Sequence, residues 1–228
     1  MQVVILAGGL ATRLRPITQD IPKSMVMIKG KPFLEHQLAL LKNQGIEHAL
    51  ILTGHLSEKI VAHFGDGKRL GMKLTYHHDG GRPLGTGGAL AAAAALLHER
   101  FFVQYGDSYL PYAYASIWRL FEEIRATALM VVYKNENRHY ASNIAVKDGL
   151  VIDYDNDPDK RQHFAYVDAG LSLLSKTLLT LLPKDRPSAT GEMFKALCTQ
   201  RRLHAYSVSE RPYEIGSPQG LQEIASVL

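Results

Sequence analysis

The sequence predicts an α/β fold built around a mostly parallel sheet. In the first half of the chain, short β-branched and apolar runs alternate with amphipathic or alanine-rich segments. The connections between these segments are short, which is typical of parallel strands joined by right-handed helical crossovers. The second half contains shorter strand-like runs that lie close together in the chain, and these predict an extension of the same sheet.

The first half is predicted to alternate between strands and helices. Strands are predicted at residues 3–6, 49–52, 72–77 and 101–104, and helices at residues 33–42, 57–64 and 88–97. The first helix carries its apolar residues at helical spacing, and Gly45 lies where such a helix would end.

The second half is predicted to be richer in strands. Strands are predicted at residues 128–133, 143–146, 150–154, 167–174 and 204–208, and helices at residues 177–182 and 192–200. Lys147-Asp148-Gly149 favours a hairpin turn, and Pro218 stands where a last helix would begin. Because no segment rich in Gly, Pro or Ser separates the halves, we expect a single domain over residues 1–228.

The composition excludes several classes of protein. The 228 residues are 46% hydrophobic and 21% charged, which is ordinary for a globular chain. No apolar run approaches the ~20 residues of a membrane span. The one cysteine, Cys198, excludes an internal disulfide framework and fits a reducing compartment, so we expect a cytoplasmic protein without membrane contacts. The net charge of +4 comes from dispersed Lys and Arg, which fits small anionic substrates as well as nucleic acid, so charge alone does not decide between them.

The first candidate motif follows the first strand and reads Leu6-Ala7-Gly8-Gly9-Leu10-Ala11-Thr12-Arg13. Glycines at the carboxyl end of a buried parallel strand allow backbone N–H groups to approach an anion. Arg13 adds a guanidinium fork that suits phosphate oxygens, and Lys23 lies ten residues further on behind a proline. The alternative is an ordinary strand–loop junction followed by a solvated lysine.

Two further motifs follow later strands. Gly85-Thr86-Gly87-Gly88 precedes an alanine-rich helix and would admit a flat ligand such as a base, although a glycine turn before a tightly packed helix explains it equally well. Asp107 follows a buried strand, where a carboxylate faces the ligand crevice of an open α/β sheet. Mg²⁺ is commonly held by one or two carboxylates plus substrate phosphates. The alternative for Asp107 is a simple strand-exit turn.

Together these residues resemble the sugar-1-phosphate nucleotidyltransferases, in particular the short heptose 1-phosphate guanylyltransferases. The family signature, a glycine loop with Thr-Arg and then Pro-Lys-x-Met, is matched from Gly8 to Met25, and Ile215-Gly216-Ser217-Pro218 matches its closing motif. The resemblance implies a Rossmann-like three-layer sandwich with a mixed sheet and a small sugar-binding β extension. It also implies transfer of a nucleotidyl group from an NTP to a sugar 1-phosphate, with release of pyrophosphate.

The resemblance also implies roles for individual residues. Arg13, Lys23 and Asp107 are expected to be catalytic, and Asp107 and Glu214 to bind Mg²⁺. The residues expected to contact the nucleotide are Leu6, Ala7, Gly8, Gly9, Thr12, Arg13, Gly85, Thr86 and Gly87. Those expected to contact the sugar are Gly106, Asn143 and Asp168. On this basis residues 1–110 form the nucleotide-binding half and residues 111–228 the sugar-binding half.

The chain departs from the family pattern at several positions. Ala11 replaces a glycine, so we expect a negative φ there. Ser24 replaces a proline, and Glu214 replaces an aspartate that binds metal in the family. Asn156-Asp157 replaces a segment that in the family carries a lysine near the sugar phosphate. Lys160 is the nearest residue that could take the place of that lysine.

The base and the sugar remain open at this point. The glycine motifs favour GTP over UTP, and a heptose or hexose 1-phosphate as acceptor for cell-surface glycan synthesis. Uridylyl transfer to N-acetylmuramate 1-phosphate is one alternative, and a nucleotide-binding regulatory protein with impaired catalysis is another. The chain is expected to act as a monomer or homodimer. An arginine that binds the phosphates during transfer raises kcat about 10³-fold or more, so Arg13→Ala is expected to abolish turnover.

Overall fold

A computed structural model describes residues 1–9, 14, 16–157, 159, 163–183 and 186–228. The strands are β1 (Gln2–Ala7), β2 (Met27–Ile28), β3 (Lys31–Pro32), β4 (His48–Thr53), β5 (Lys73–His78), β6 (Arg100–Tyr105), β7 (Ser108–Tyr109), β8 (Ala128–Lys134), β9 (Ile144–Lys147), β10 (Leu150–Tyr154), β11 (Tyr166–Ser175), β12 (Leu203–Val208) and β13 (Tyr213–Glu214). The helices are α1 (Phe33–Asn43), α2 (Ser57–Phe64), α3 (Gly85–Ala92), α4 (Tyr114–Glu123), α5 (Thr190–Thr199) and α6 (Pro218–Val227). Short 3₁₀ turns lie between several of them.

The larger strands form one nine-stranded mixed sheet in the order β5-β4-β1-β6-β11-β8-β12-β10-β9. Strands β5, β4, β1 and β6 are parallel, as the alternating sequence predicts. Strand β11 lies antiparallel between β6 and β8 and so connects the two halves of the chain. The carboxyl ends of the parallel strands therefore lie at one edge, next to the bulged start of β11.

Alternating side chains of the sheet enter two apolar cores, one on each face. In β1, Val3 and Ile5 belong to one core and Val4 to the other, and all three are fully buried. Helices α1, α2 and α4 cover the first face, and α3 and α5 cover the second. Each such side chain contributes about 1.5–3 kcal/mol by leaving water, so the three-layer packing stabilises both faces of the sheet.

The predicted elements agree closely with the observed ones, but α4 and the two-residue strands β2, β3, β7 and β13 were not predicted, and the bounds of α3 differ. Helix α2 has the predicted bounds, and the hairpin turn has φ values of 51° at Asp148 and 74° at Gly149, as a type I′ turn requires. Helix α3 was predicted to begin at Gly88 but begins at Gly85. Its first turn forms because the carbonyl of Ser188, about a hundred residues away in the chain, accepts the N–H groups of Gly87 and Gly88.

Helix α6 folds back beside the start of α1. A small core of Ile28, Phe33, Ile215 and Ile224 joins the two helices and is almost fully buried. Ser217 caps α6 by accepting a hydrogen bond from the N–H of Gly220, and Pro218 occupies the first helical position as predicted. No helix within the described ranges is long and apolar enough to cross a membrane.

Candidate active site

A cavity of about 410 Å³ opens at the carboxyl ends of β1 and β6. Many of the residues predicted to bind substrate line it together: Leu6, Ala7, Gly8, Gly9, Lys23, Gly85, Thr86, Gly106 and Asp107. This is the edge at which ligands bind in open α/β sheets. The site therefore lies where the parallel strands and the glycine segments converge.

Several predicted residues lie elsewhere. Thr12 and Arg13 lie outside the described residues, as do Ala11 and Lys160, so their expectations stay predictions. Gly87 does not line the cavity, because it packs against Leu182 and Ser188. Asn143, Asp168 and Glu214 lie outside the cavity lining, in the second half of the chain.

Lys23 and Asp107 form an ion pair at this cavity. The Nζ atom of Lys23 lies 2.5 Å from Oδ2 of Asp107, and their side chains are 16% and 29% exposed. Ser108 donates its hydroxyl to the other oxygen of Asp107, at 3.3 Å. A half-buried pair of this kind holds opposite charges close to any bound phosphate and keeps both side chains oriented before substrate arrives.

Gln37 supports the loop that carries Asp107. Its side chain is almost fully buried and donates from Nε2 to the carbonyls of Ser108, at 2.7 Å, and Tyr105, at 3.2 Å. In the sequence, Gln37 stands at helical spacing among the apolar residues of α1. A glutamine within an apolar stripe is the signal that indicates a buried hydrogen-bonding role.

The Gly85–Gly88 segment is shaped by contact with Ser188. Gly85 has a φ of 71°, and a β-carbon there would overlap the carbonyl oxygen of Ser188. The N–H groups of Gly87 and Gly88 donate to the same oxygen at 2.9 and 3.2 Å. The tight-packing interpretation therefore holds for Gly87, whereas Gly85 and Thr86 both pack and line the cavity.

Substitution of Gly85 is expected to destabilise the fold. Gly85→Ala places a side chain in the left-handed region, at a cost of about 1–2 kcal/mol, and against the Ser188 carbonyl as well. We expect the free energy of unfolding, measured with urea, to fall by at least about 2 kcal/mol. Gly9→Ala is the matched control, because a β-carbon at Gly9 meets nothing within 4 Å. Equal stability of the two variants would contradict the packing role.

Asp79 is a cavity residue that the sequence analysis missed. It follows β5, lines the cavity, and its Oδ1 atom is buried without a hydrogen-bond partner among the described residues. Burial raises the pKa of this carboxyl. Its position directly after a strand is the same signal that pointed to Asp107, and this signal would have identified it.

Asn143 and Asp168 lie together beside the bulge of β11. Oδ1 of Asn143 accepts the N–H of Asp168 at 3.1 Å, and its Nδ2 donates to Asn156 at 2.9 Å. Oδ1 of Asp168 accepts the N–H of Gly170 at 2.8 Å. Burial raises the pKa of Asp168 to about 6, and the negative charge of Glu214 adds to the rise. These side chains form a polar cluster adjoining the aromatic ring of Tyr105.

The raised pKa of Asp168 predicts a pH-dependent stability. This pKa is higher in the folded chain than in the unfolded chain, where it has the ordinary value of about 4. Asp168 therefore makes its full contribution to the stability of the fold only below about pH 4. This contribution is lost as the pH rises through about 6. Asp168→Asn keeps an acceptor for Gly170, so we expect it to unfold at higher urea concentration than wild type at pH 8. The difference should shrink toward pH 4, and an unchanging difference would contradict the assignment.

Glu214 lies next to Asp107 through a two-residue strand pair. Strand β13 pairs antiparallel with β7, so that Glu214 lies opposite Ser108, and Ile215 donates its N–H to the carbonyl of Asp107 at 2.9 Å. Among the described residues, no three His, Cys, Asp or Glu side chains come together to hold a metal ion.

The family described as Nucleotidyl transferase matches residues 2–227 of this chain. The chain belongs to the nucleotidyl transferase family. The resemblance seen in the sequence motifs is thereby confirmed, and members of this family generally use a divalent metal.

Individual members of the nucleotidyl transferase family resemble the chain over most of its length. D-glycero-alpha-D-manno-heptose 1-phosphate guanylyltransferase of Campylobacter jejuni is 33% identical over 222 residues, which cover 96% of both chains. Mannose-1-phosphate guanyltransferase beta-A of Xenopus laevis is 29% identical over 96% of this chain, which spans only 62% of that protein's length. A putative glucose-1-phosphate thymidylyltransferase from Bacillus anthracis has the same fold, with a TM-score of 0.87 at 21% identity over 100% of this chain and 94% of its own.

Proposed function

We propose that the protein transfers a guanylyl group from GTP to a sugar 1-phosphate and releases pyrophosphate. The observation that carries this proposal is the Lys23–Asp107 ion pair at a cavity lined by glycine backbone, in a chain of this family. An oxygen of the sugar phosphate attacks the α-phosphorus of GTP, and the bond from that phosphorus to the β-phosphate oxygen breaks. No covalent link to the protein is needed, so the residues act by position and charge.

Lys23 is proposed to stabilise negative charge on the phosphates during the transfer. Its ammonium already lies at the cavity with Asp107 as its partner. When substrate phosphates enter, they compete with Asp107 for this ammonium, and the carboxylate becomes available for a cation. Arg13 is proposed to bind the leaving phosphates, as the family motif implies.

Asp107 and Glu214 are proposed to hold Mg²⁺ together with substrate phosphates. Glu214 on β13 and Asp107, just before its partner strand β7, supply the carboxylate oxygens that Mg²⁺ prefers, and the lack of a third acidic partner among the described residues fits a site completed by phosphate. When bound, Mg²⁺ neutralises phosphate charge and polarises the bond to be broken.

Asp79 supports guanine as the base. Guanine presents two adjacent donors, N1–H and the 2-amino group, whereas a carboxylate offers two acceptor oxygens. Asp79 has a buried acceptor oxygen without a partner among the described residues and lies between the glycine loop and Pro83. The backbone N–H of Leu84 already donates to this carboxylate. Uracil and thymine each present a single donor, so they would use less of its remaining acceptor capacity than guanine would.

The second half of the chain is proposed to bind the sugar. Asn143 and Asp168 supply an amide and a carboxylate that suit sugar hydroxyls, and Asp168 lies near Tyr105, which lines the cavity together with Gly106. A heptose 1-phosphate is the acceptor we favour, because the relative that matches this chain end to end bears that name. We propose residues 1–110 as the nucleotide half and residues 111–228 as the sugar half of one domain. The reaction is proposed to occur in the cytoplasm, which fits a chain with one cysteine.

Pyrophosphate release tests this proposal. The purified chain is incubated with Mg²⁺ and each of GTP, UTP, dTTP, ATP and CTP against a panel of heptose and hexose 1-phosphates. We expect turnover with GTP and a heptose or hexose 1-phosphate. Turnover with another NTP would overturn the guanine assignment. GTP binding without turnover would favour a regulatory protein, and failure to bind any NTP would overturn the proposed function.

A further inference from the structure

We infer that Arg211 is a positioning residue that holds Glu214 against Asp107 by bracing strand β13 to helix α6. The inference rests on the proposed function, because it concerns the carboxylate assigned to the metal. It goes beyond that function because Arg211 belongs to none of the motifs described above.

Strand β13 is held weakly by its own pairing. It comprises only Tyr213 and Glu214, and its register partners are the two residues of β7. Glu214 itself is exposed. A two-residue ladder contributes little by itself, so contacts from outside the ladder must fix where the Glu214 carboxylate lies.

Arg211 supplies such contacts from the side of β13 that faces α6. Its guanidinium lies 4.8 Å from the centroid of the Tyr213 ring, and its Nη2 atom lies 2.8 Å from Oε2 of Glu223 on α6. Gln219, one turn earlier on α6, donates to the other oxygen of Glu223 at 2.9 Å. Arg211 therefore connects the residue before Glu214 to the terminal helix through both a ring face and an ion pair.

The carbonyl just ahead of β13 is fixed as well. The hydroxyl of Tyr140 donates to the carbonyl of Pro212. The backbone at Tyr140 is itself held, because buried Asn135 accepts the N–H of Tyr140 at 3.1 Å and donates to its carbonyl at 2.7 Å. Arg211 and Pro212 thus connect three elements at the point where the chain enters β13.

Helix α6 also touches the backbone of Glu214 directly. A β-carbon on Gly220, in the first turn of α6, would overlap the carbonyl oxygen of Glu214. The backbone of Glu214 is therefore enclosed between β7 and α6. Displacement of α6, by loss of the Arg211 brace or by a side chain at position 220, is expected to move the carboxylate relative to Asp107.

The test compares nucleotide affinity with and without metal. A fluorescent, non-hydrolysable GTP analogue is titrated with the full-length chain in Mn²⁺ and again in EDTA, and the ratio of the two affinities reports the metal's contribution. Arg211→Met is expected to lower this ratio about tenfold, as loss of groups that orient metal ligands does, while affinity in EDTA stays at the wild-type value. Gly220→Ala is expected to lower it too, although alanine is the better helix former.

Arg100→Met is the matched control. Arg100 also forms an ion pair, with Glu122, but at the opposite end of β6 from the cavity. We expect this variant to keep the wild-type ratio. A wild-type ratio in folded Arg211→Met and Gly220→Ala would overturn the inference and leave the proposed function standing. A wild-type chain whose analogue affinity does not respond to Mn²⁺ would overturn the inference together with the proposed metal site.

Discussion

Lys23→Met is expected to lower kcat for guanylyl transfer about a thousandfold, the upper range for removal of one charge-stabilising donor from a transition state. The ammonium of Lys23 lies at the cavity, is only 16% exposed and is held by Asp107, so the charge that it supplies is poorly screened by water. Methionine keeps most of the length of the side chain but carries no charge. Initial rates of pyrophosphate release measure the effect.

Lys42→Met makes the same change at a site that does not face the cavity. Lys42 is exposed on α1 and donates to the carbonyl of Gly71. We expect its rate to lie within a factor of two of wild type, as is usual for surface substitutions. If the two variants lost activity equally, the assignment of Lys23 to the phosphates would be wrong.

Asp79→Asn is expected to lower kcat/KM for GTP about a hundredfold, because one acceptor of a charged hydrogen-bond pair becomes a donor that faces the donors of guanine. The comparison with ITP makes the experiment specific, since hypoxanthine lacks the 2-amino group. Wild type should prefer GTP over ITP by about tenfold or more. The variant should lose most of that preference.

Asp66→Asn is the control for this substitution. Asp66 lies in an exposed turn near the opposite end of β5 and pairs with Lys68. We expect it to retain both the rate and the GTP-to-ITP preference of wild type. A preference that survived in Asp79→Asn would show that another group reads the base.

Much of the fold could be predicted from the sequence because its signals are local. The apolar runs at β1 and β4 and the helical spacing in α1 are properties of neighbouring residues. The early start of α3 could not be predicted in this way, because the carbonyl that organises its first turn belongs to Ser188. A distant partner changed the boundary of a helix whose type was predicted correctly.

The candidate site was partly predictable for the same reason. Gly8, Lys23 and Asp107 stand in sequence motifs, and the structure brings all three to one cavity. Asp79 stands in no such motif; its position directly after β5 is a weaker sequence signal, and its buried oxygen without a partner among the described residues needs the structure to be seen. Glu214 lies near Asp107 because β13 pairs with β7, and no local sequence pattern predicts this pairing.

The fate of the α- and γ-phosphates of GTP tests the central claim most directly. The chain is incubated with Mg²⁺, heptose 1-phosphate and GTP labelled with ³²P at either the α or the γ position, and the products are separated by chromatography. Guanylyl transfer predicts that the α label appears in a nucleotide sugar and the γ label in pyrophosphate. Recovery of the γ label on the sugar or as inorganic phosphate, with no labelled nucleotide sugar, would contradict it.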